Sequence, residues 1–395
     1  MQHRRPISRR RIIAPAAFVA AALAVTVAGS LTYASASDRP RHHKPARPSV
    51  SASIAPAVTA AASPTGSASA SASASASASA SASASAAAAA SVSAAAGNGY
   101  VMAPEPVTDV TPSNLVPEHK MFHEFQANCA VSRTNLPDDP IVFPQLPGAS
   151  HSHTFMGNTT TNADTTPASL SAGDTKCLAK GDLSAYWMPT LYKGDKAVNP
   201  VGVQTIYYKA GVNDYTSVRP FPKGLRFVVG NAKNTDSAAF LKATVEGFEC
   251  GDSYKNADIP ATCPATASTQ LNIRYQSPSC WDGIHLDTPD HQSHMAYPII
   301  KDYPIGAACP ADHPVALPML EFKMAWPVNG NMSDVHFASG RGYTFHYDFM
   351  NAWDPATLQA LVKACINGGR QCNARGYDER ESPSTAVLTT DYVLP

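Results

Sequence analysis

Eight cysteines, none before residue 129, constrain this chain more than any other feature. They are Cys129, Cys177, Cys250, Cys263, Cys280, Cys309, Cys365 and Cys372. The chain opens like an exported protein, and an even cysteine count in such a chain points to disulfides and a loop-rich fold held by covalent staples. Spacing does not decide the connectivity. Pairing neighbours in the chain gives Cys250–Cys263, Cys280–Cys309 and Cys365–Cys372, and leaves Cys129–Cys177 as the working expectation. A zinc-thiolate site is disfavoured, because there is no C-x-x-C pair and oxidation competes outside the cell.

The export reading rests on the first 36 residues. Arg4, Arg5, Arg9, Arg10 and Arg11 precede a mostly apolar run from Ile12 to Leu31, and Ala34-Ser35-Ala36 supplies a small-x-small cleavage pattern. Ser8-Arg9-Arg10-Arg11-Ile12-Ile13 also resembles a twin-arginine signal, read by the folded-state exporter. Left uncleaved, the run is just long enough to cross a bilayer, which takes about 20 apolar residues. An uncleaved signal is the one membrane attachment the sequence offers. Residues 37–106 hold almost no large apolar side chains, and Ser67 to Ala86 is an unbroken Ser-Ala alternation. Ordering such a chain costs about 1–2 kcal/mol per residue with little burial to offset it, so this stretch is expected to be a disordered Ala/Ser/Pro-rich spacer. The remainder, 107–395, is expected to form a single disulfide-containing globular domain.

The zero net charge conceals two unlike halves. Residues 1–98 carry nine Lys and Arg against one Asp, so residues 99–395 hold 21 basic and 29 acidic residues and a balance of −8. An acidic domain is a poor partner for nucleic acid, whose binding depends on cationic contacts to phosphate.

Strand signals dominate the folded part. Val203–Lys209, Leu225–Val229, Thr244–Cys250 and Leu271–Tyr275 are short, rich in β-branched or aromatic residues, and bounded by turn formers. Leu320, Phe322, Met324 and Trp326 alternate with other residues, as do Phe345, Tyr347 and Phe349, which leaves His346 and Asp348 on the opposite face of their strand. One helix is expected after Asp354, its cap, with Pro355 in the first turn, Leu358, Leu361, Val362 and Cys365 at helical spacing, and Gly368-Gly369 at its end. The expected fold is mainly β: an antiparallel sandwich or jelly-roll-like core with long disulfide-pinned loops and one C-terminal helix. Trp187, Trp281, Trp326 and Trp353 read chiefly as core.

Three stretches could carry chemistry. In Ser150-His151-Ser152-His153, residues two apart face the same way if the chain is extended, so both imidazoles could meet one ligand. Trp281 to His294 packs His285, His291 and His294 with Asp282, Asp287 and Asp290. His346-x-Asp348 repeats the two-residue spacing on a strand. Imidazole and carboxylate are the usual ligands of zinc, manganese or iron, and the same groups without metal serve as general base and acid. The candidate catalytic residues are therefore His151, His153, Asp287, Asp290, His291, His294, His346 and Asp348. A divalent metal such as copper or zinc would fall to His151, His153, His291 and His294. Tyr186, Trp187, Tyr192 and Tyr297 are candidate substrate contacts. Asn158-Thr159-Thr160 matches a glycosylation sequon. There is no G-x-S-x-G elbow and no Gly-rich phosphate loop.

These stretches resemble, in order, the motifs of the DUF1996 family. The match runs through Asp139-Pro140-Ile141-Val142, Ser150-His151-x-His153-x-Phe155-x-Gly157, Asp182-x-Ser184-Ala185-Tyr186-Trp187, Cys280-Trp281-Asp282-Gly283, Pro289-Asp290-His291-x-Ser293-His294 and His346-x-Asp348-Phe349-x-Asn351 with Trp353-Asp354. It covers roughly Phe122 to Cys372. Ala352 departs from the pattern, which has Gly there. The resemblance implies a secreted protein of a kind found in fungi and actinobacteria, in some cases joined to carbohydrate-binding modules of the WSC type. It assigns no function and no catalytic residue.

The resulting expectation is an exported, cell-wall-proximal domain that acts on polysaccharide as a hydrolase or lyase through a His/Asp site. In a hydrolase, Asp287 or Asp290 would pair with Asp348, with their separation setting the stereochemistry. The acidic balance counts against a lyase acting on a polyanion. The alternatives are a non-catalytic glycan-binding or structural wall protein, and a copper- or zinc-binding protein.

Overall fold

The computed structural model describes residues 99–243, 247–251, 255–380 and 385–388. The export signal, and the spacer up to residue 98, lie outside the described residues. Residues 101–106, assigned to the spacer by composition, are partly built into the fold. Val101–Met102 pairs antiparallel with His285–Asp287, and Val101 and Ala103 are buried. Composition misses this edge because two apolar residues suffice to dock it.

Ten strands form one large sheet: β1 Glu124–Gln126, β2 Cys129–Leu136, β3 His153–Gly157, β4 Ala185–Pro189, β5 Val203–Ala210, β6 Arg226–Gly230, β7 Phe248–Glu249, β8 Leu271–Gln276, β9 Pro318–Trp326 and β10 His346–Met350. Their order across the sheet is β7-β8-β9-β5-β2-β3-β4-β10-β6, with β1 also on β5, and every ladder is antiparallel. The sheet curls as a half-barrel, so the mainly β, antiparallel architecture read from the alternation is present. The helix α1, Pro167–Ser171, is capped by Thr166; α2 is Ser237–Ala243; and α3, Pro355–Leu361, begins where Asp354 accepts the N–H of Thr357. All four disulfides join the cysteines paired above, including Cys129–Cys177.

The concave face holds the main core. Tyr186, Tyr208, Phe227, Phe322, Phe345, Tyr347 and Phe349 point into it, and Phe322 stacks on Tyr347 with ring centroids 3.7 Å apart. Each such ring contributes about 1.5–3 kcal/mol when fully buried. All four tryptophans are buried.

The other face is unlike an ordinary solvated sheet face. Over β3, β4, β10 and β6 it is covered by the segments on either side of β3, residues 137–152 and 158–172, and Ile141 and Leu170 pack there on Phe155, Trp187 and Met350. Strands β3, β4 and β10 are consequently buried at every position. This second, smaller interior is where the candidate histidines lie.

Candidate functional site

His153 opens β3 and His346 opens β10, on either side of β4. His153 pairs with Pro189 of β4, and one step along the β4–β10 register His346 comes level with the same proline. Strands two apart are about 9.5 Å distant, a gap that two imidazoles leaning toward each other can bridge. They meet at 3.4 Å, Nε2 to Nε2.

Their tautomers are fixed from behind. His153 Nδ1 lies 2.9 Å from the carbonyl oxygen of Asp138, and His346 Nδ1 lies 3.0 Å from that of Thr344. A carbonyl oxygen only accepts, so each Nδ1 carries the hydrogen and donates it. In the neutral rings both Nε2 atoms are then bare lone pairs, aimed at each other. His151 completes the group from the preceding loop. A turn with Gln145 and Gly148 at positive φ, pinned by Ser150 N–H to Pro137 O, brings its ring to 4.3 Å from His153 and 5.1 Å from His346, centroid to centroid. One ring nitrogen from each of the three lies within 4.8 Å of the others. His151 Nε2 is buried with no hydrogen-bond partner.

Burial keeps all three neutral. It lowers His151 to about 4 and His346 to about 3, the latter with help from the His151 charge. It pushes His153 well below the usual range, reinforced by His151 and His346. Three imidazoles gathered this closely, two with facing lone pairs, could hold a divalent transition metal. With bonds of about 2.0–2.1 Å, two ligands of a tetrahedral ion sit about 3.3–3.4 Å apart. The His153–His346 spacing matches that edge.

Asp348 follows on the same face of β10. It is wholly buried, and its Oδ2 lies 3.9 Å from His346 Nε2. Burial, followed by the charge of Asp139, raises its carboxyl well above the usual range.

The other histidine-rich stretch does not join this group. His294 has both ring nitrogens engaged, Nδ1 with the Thr288 hydroxyl at 3.0 Å and Nε2 donating to the Arg226 carbonyl at 2.9 Å. His291 Nδ1 binds Asp287, whose other oxygen takes the Arg226 guanidinium at 2.6 Å. Asp290 accepts from the Ser293 hydroxyl and from the N–H groups of Gln292 and Ser293, and shares the single Thr288 hydroxyl hydrogen with His294 Nδ1. Burial works against the charged carboxylate, but these donors outweigh it and hold Asp290 below the ordinary carboxylate range. These four residues shape a loop against the edge of β6, where Val228 N–H reaches His291 O. Of the four histidines expected to share a metal, the structure brings His151 and His153 together, and the third imidazole beside them is His346 rather than His291 or His294. A second group of metal-type side chains, Cys129, Cys177 and Asp182, is closed to metal because its sulfurs form a disulfide.

Two of the four expected substrate aromatics are sealed in the interior. Tyr186 and Trp187 have no exposed surface. Tyr186 donates to Asp182, Tyr208 to Tyr186 and Trp353 to Tyr208, a buried relay with no room for a sugar. Tyr297 is only partly buried but is tied through its hydroxyl to Gln276 O. Tyr192 alone lies on a cleft, of about 450 Å³, lined also by Ser150, His151, Ser152, Asp195 and His336. Its ring stacks on the exposed His336, centroids 5.7 Å apart. His336 was absent from the candidates, as a lone histidine with no motif around it. The sequon is corrected too: Asn158 is buried and its amide donates to Leu170 O and Leu183 O.

The family model for a domain of unknown function, DUF1996, matches residues 139–353, more than half of the chain. The chain belongs to the DUF1996 family. No curated protein and no solved structure matches it. The matched DUF1996 span contains His151, His153, His346 and Asp348. Ala352, the departure from the DUF1996 pattern, is not among the residues with left-handed backbone, so a Cβ there is unstrained.

Among the described residues no helix is long and apolar enough to cross a membrane. Four disulfides fit an oxidising compartment.

Proposed function

We propose that this DUF1996 domain is exported to the cell-wall zone, holds one divalent transition-metal ion through His151, His153 and His346, and uses it on a polysaccharide that enters the adjoining cleft. The observation that carries the reading is the pair of Nε2 lone pairs 3.4 Å apart, both tautomers fixed by backbone carbonyls. Neutral nitrogen donors facing each other in a dry interior repel unless a cation lies between them. Nitrogen donors suit zinc and copper, and three protein ligands leave a position open. A bound ion would supply a Lewis acid for a substrate oxygen, or a water ionised near neutrality.

The chain's own residues supply the rest. His151 links the buried pair to the cleft, where the Tyr192–His336 stack offers an apolar face to a sugar ring and Ser150, Ser152 and Asp195 offer hydroxyl partners. The acidic balance of residues 99–395 favours a neutral or cationic glycan over a polyuronate. The arginine-led apolar start, the Ser-Ala tract and the four disulfides support export and a wall-proximal position.

The test is elemental analysis of the secreted protein, purified without chelator or immobilised nickel, beside a His153→Ala variant. About one ion per chain in the parent and none in the variant is expected for a three-histidine site. The loaded protein is then incubated with β-glucan, chitin, xylan and a polyuronate. Chain cleavage that a chelator abolishes and added metal restores is the expected result. An ion-free parent protein that takes up no zinc or copper on titration would end the reading.

A further inference from the structure

Asp348 is unlike any other buried carboxylate of the described fold in its surroundings. Neither Oδ1 nor Oδ2 has a hydrogen-bond donor, and the side chain has no exposed surface. Glu321, on the same face of the sheet at the opposite end, shows the usual treatment. It takes Lys209 at 3.1 Å, Arg274 at 3.3 Å and Gln276 at 2.8 Å. Around Asp348 no such group reaches the carboxylate: Arg226, on the same face of β6, is taken by Asp287 at 2.6 Å. The covering segment brings Asp139, whose Oδ1 already accepts the N–H groups of Ile141 and Val142 and whose charge opposes that of Asp348. His291 acts on Asp139 but is bonded through Nδ1 to Asp287. What Asp348 does face is His346 Nε2 at 3.9 Å, the nitrogen that also faces His153. A buried carboxylate without donor or counter-ion is strongly disfavoured. An ion held by the histidines would be its counter-ion. The carboxylate lies outside the set of donor atoms that are mutually within 4.8 Å, so it stands beside the ligands, next to His346 Nε2, rather than among them.

We infer that Asp348 is the charge partner of the three-histidine centre, an outer carboxylate that makes the site favour a divalent over a monovalent ion. The inference rests on the reading of His151, His153 and His346 as ligands. Three neutral imidazoles bring no charge of their own, whereas a nearby carboxylate attracts a doubly charged ion twice as strongly as a singly charged one at equal distance.

The experiment measures the affinities of the full chain, stripped of metal, for Zn(II) and for Ag(I), a redox-inert monovalent ion that also accepts imidazole. Asp348→Asn is the first variant and Asp348→Leu, apolar and of the same branched shape, the second; near-ultraviolet circular dichroism checks that each is folded. Loss of an outer-shell partner costs about 10–100-fold in metal affinity. The expected result is that loss for Zn(II) in both variants with a clearly smaller loss for Ag(I), so the Zn(II)/Ag(I) preference falls by about tenfold. Equal losses for the two ions, or none, overturn the inference. If His346→Ala abolishes zinc binding while the Asp348 variants keep the preference, the centre stands and only the role of Asp348 falls. If the parent binds neither ion, the three-histidine reading falls and this inference with it.

Discussion

His153 and His294 are both fully buried histidines in the same half of the molecule, yet their imidazoles are held for opposite ends. His294 spends both nitrogens on Thr288 and Arg226, so its ring is a cross-brace between a loop and a strand. His153 spends one nitrogen on Asp138 and turns the other toward a second imidazole. Abundance of histidine is thus a poor guide to chemistry. The stretch from Trp281 to His294 is denser in His and Asp, and its carboxylates and rings mostly satisfy one another. The informative sign is a buried nitrogen or oxygen left with a free lone pair, because such groups are rare in a native interior and call for a specific reason.

The sharpest way to break this contrast is to exchange the losses. His346→Ala should lower zinc affinity by about a thousandfold or more, an energy of about 4 kcal/mol, since a ligand is gone. His294→Ala should leave zinc binding within a few-fold of the parent. Isothermal titration of both variants decides, and a large loss in His294→Ala would erase the distinction.

Acid comes next. Histidines lowered in the folded state stay neutral while the unfolded chain takes up protons near pH 6.5, so stability falls as pH drops below that value and levels off at the folded values. For His151 and His346 those are about 4 and about 3. Each neutral histidine contributes up to about 1.4 kcal/mol per pH unit. Metal-free protein should therefore lose about 3.5 kcal/mol between pH 6 and pH 4.5 through His151 and His346, with His153 adding to it. Urea unfolding across that interval should show a much flatter dependence when His151, His153 and His346 are all alanine, and only a slight flattening in His294→Ala.

Stability at neutral pH sharpens the comparison further. His294→Ala removes two buried hydrogen bonds and should cost about 2 kcal/mol, whereas His346→Ala in metal-free protein should cost less because it also removes the facing lone pairs. The smallest effect belongs to Asp290. Asn keeps some of its turn contacts, so Asp290→Asn should cost about 1 kcal/mol or less and leave metal binding and glycan cleavage unchanged. A collapse of cleavage in Asp290→Asn would return that loop to the active site.

Much of the fold was legible in the residues. Runs of β-branched and aromatic residues between turn formers marked β5, β6 and β8, alternation marked β9 and β10, and Asp354-Pro355 marked the start of α3. Two strands at the site, β3 and β4, escaped notice. β3 reads His-Thr-Phe-Met-Gly and β4 Ala-Tyr-Trp-Met-Pro, with no alternation, because a second layer buries both their faces. For the same reason Tyr186 and Trp187 looked like platforms and proved to be interior. His151, His153 and His346 were each visible as candidates. Their partnership was not, since 193 residues separate His153 from His346 and only the strand order brings them level. Unpartnered oxygens such as those of Asp348 leave no trace in a sequence at all.

The Cys129–Cys177 bond has a consequence for how the centre opens. It closes a ring across a sequence separation of 48, and His151, His153 and Asp139 all lie inside that ring. Closing a loop of this length removes roughly 4 kcal/mol of chain entropy from the unfolded state. The cover over the histidines is therefore a hoop rather than a flap. It has no loose end to peel back, and it can part from the sheet only by bowing outward at its middle, the stretch around Ser150 to Ser152 that borders the cleft. Breaking the bond leaves the backbone continuous and held by β2 and β3, but it returns that entropy to the unfolded chain and loosens the outer side of the histidine cage.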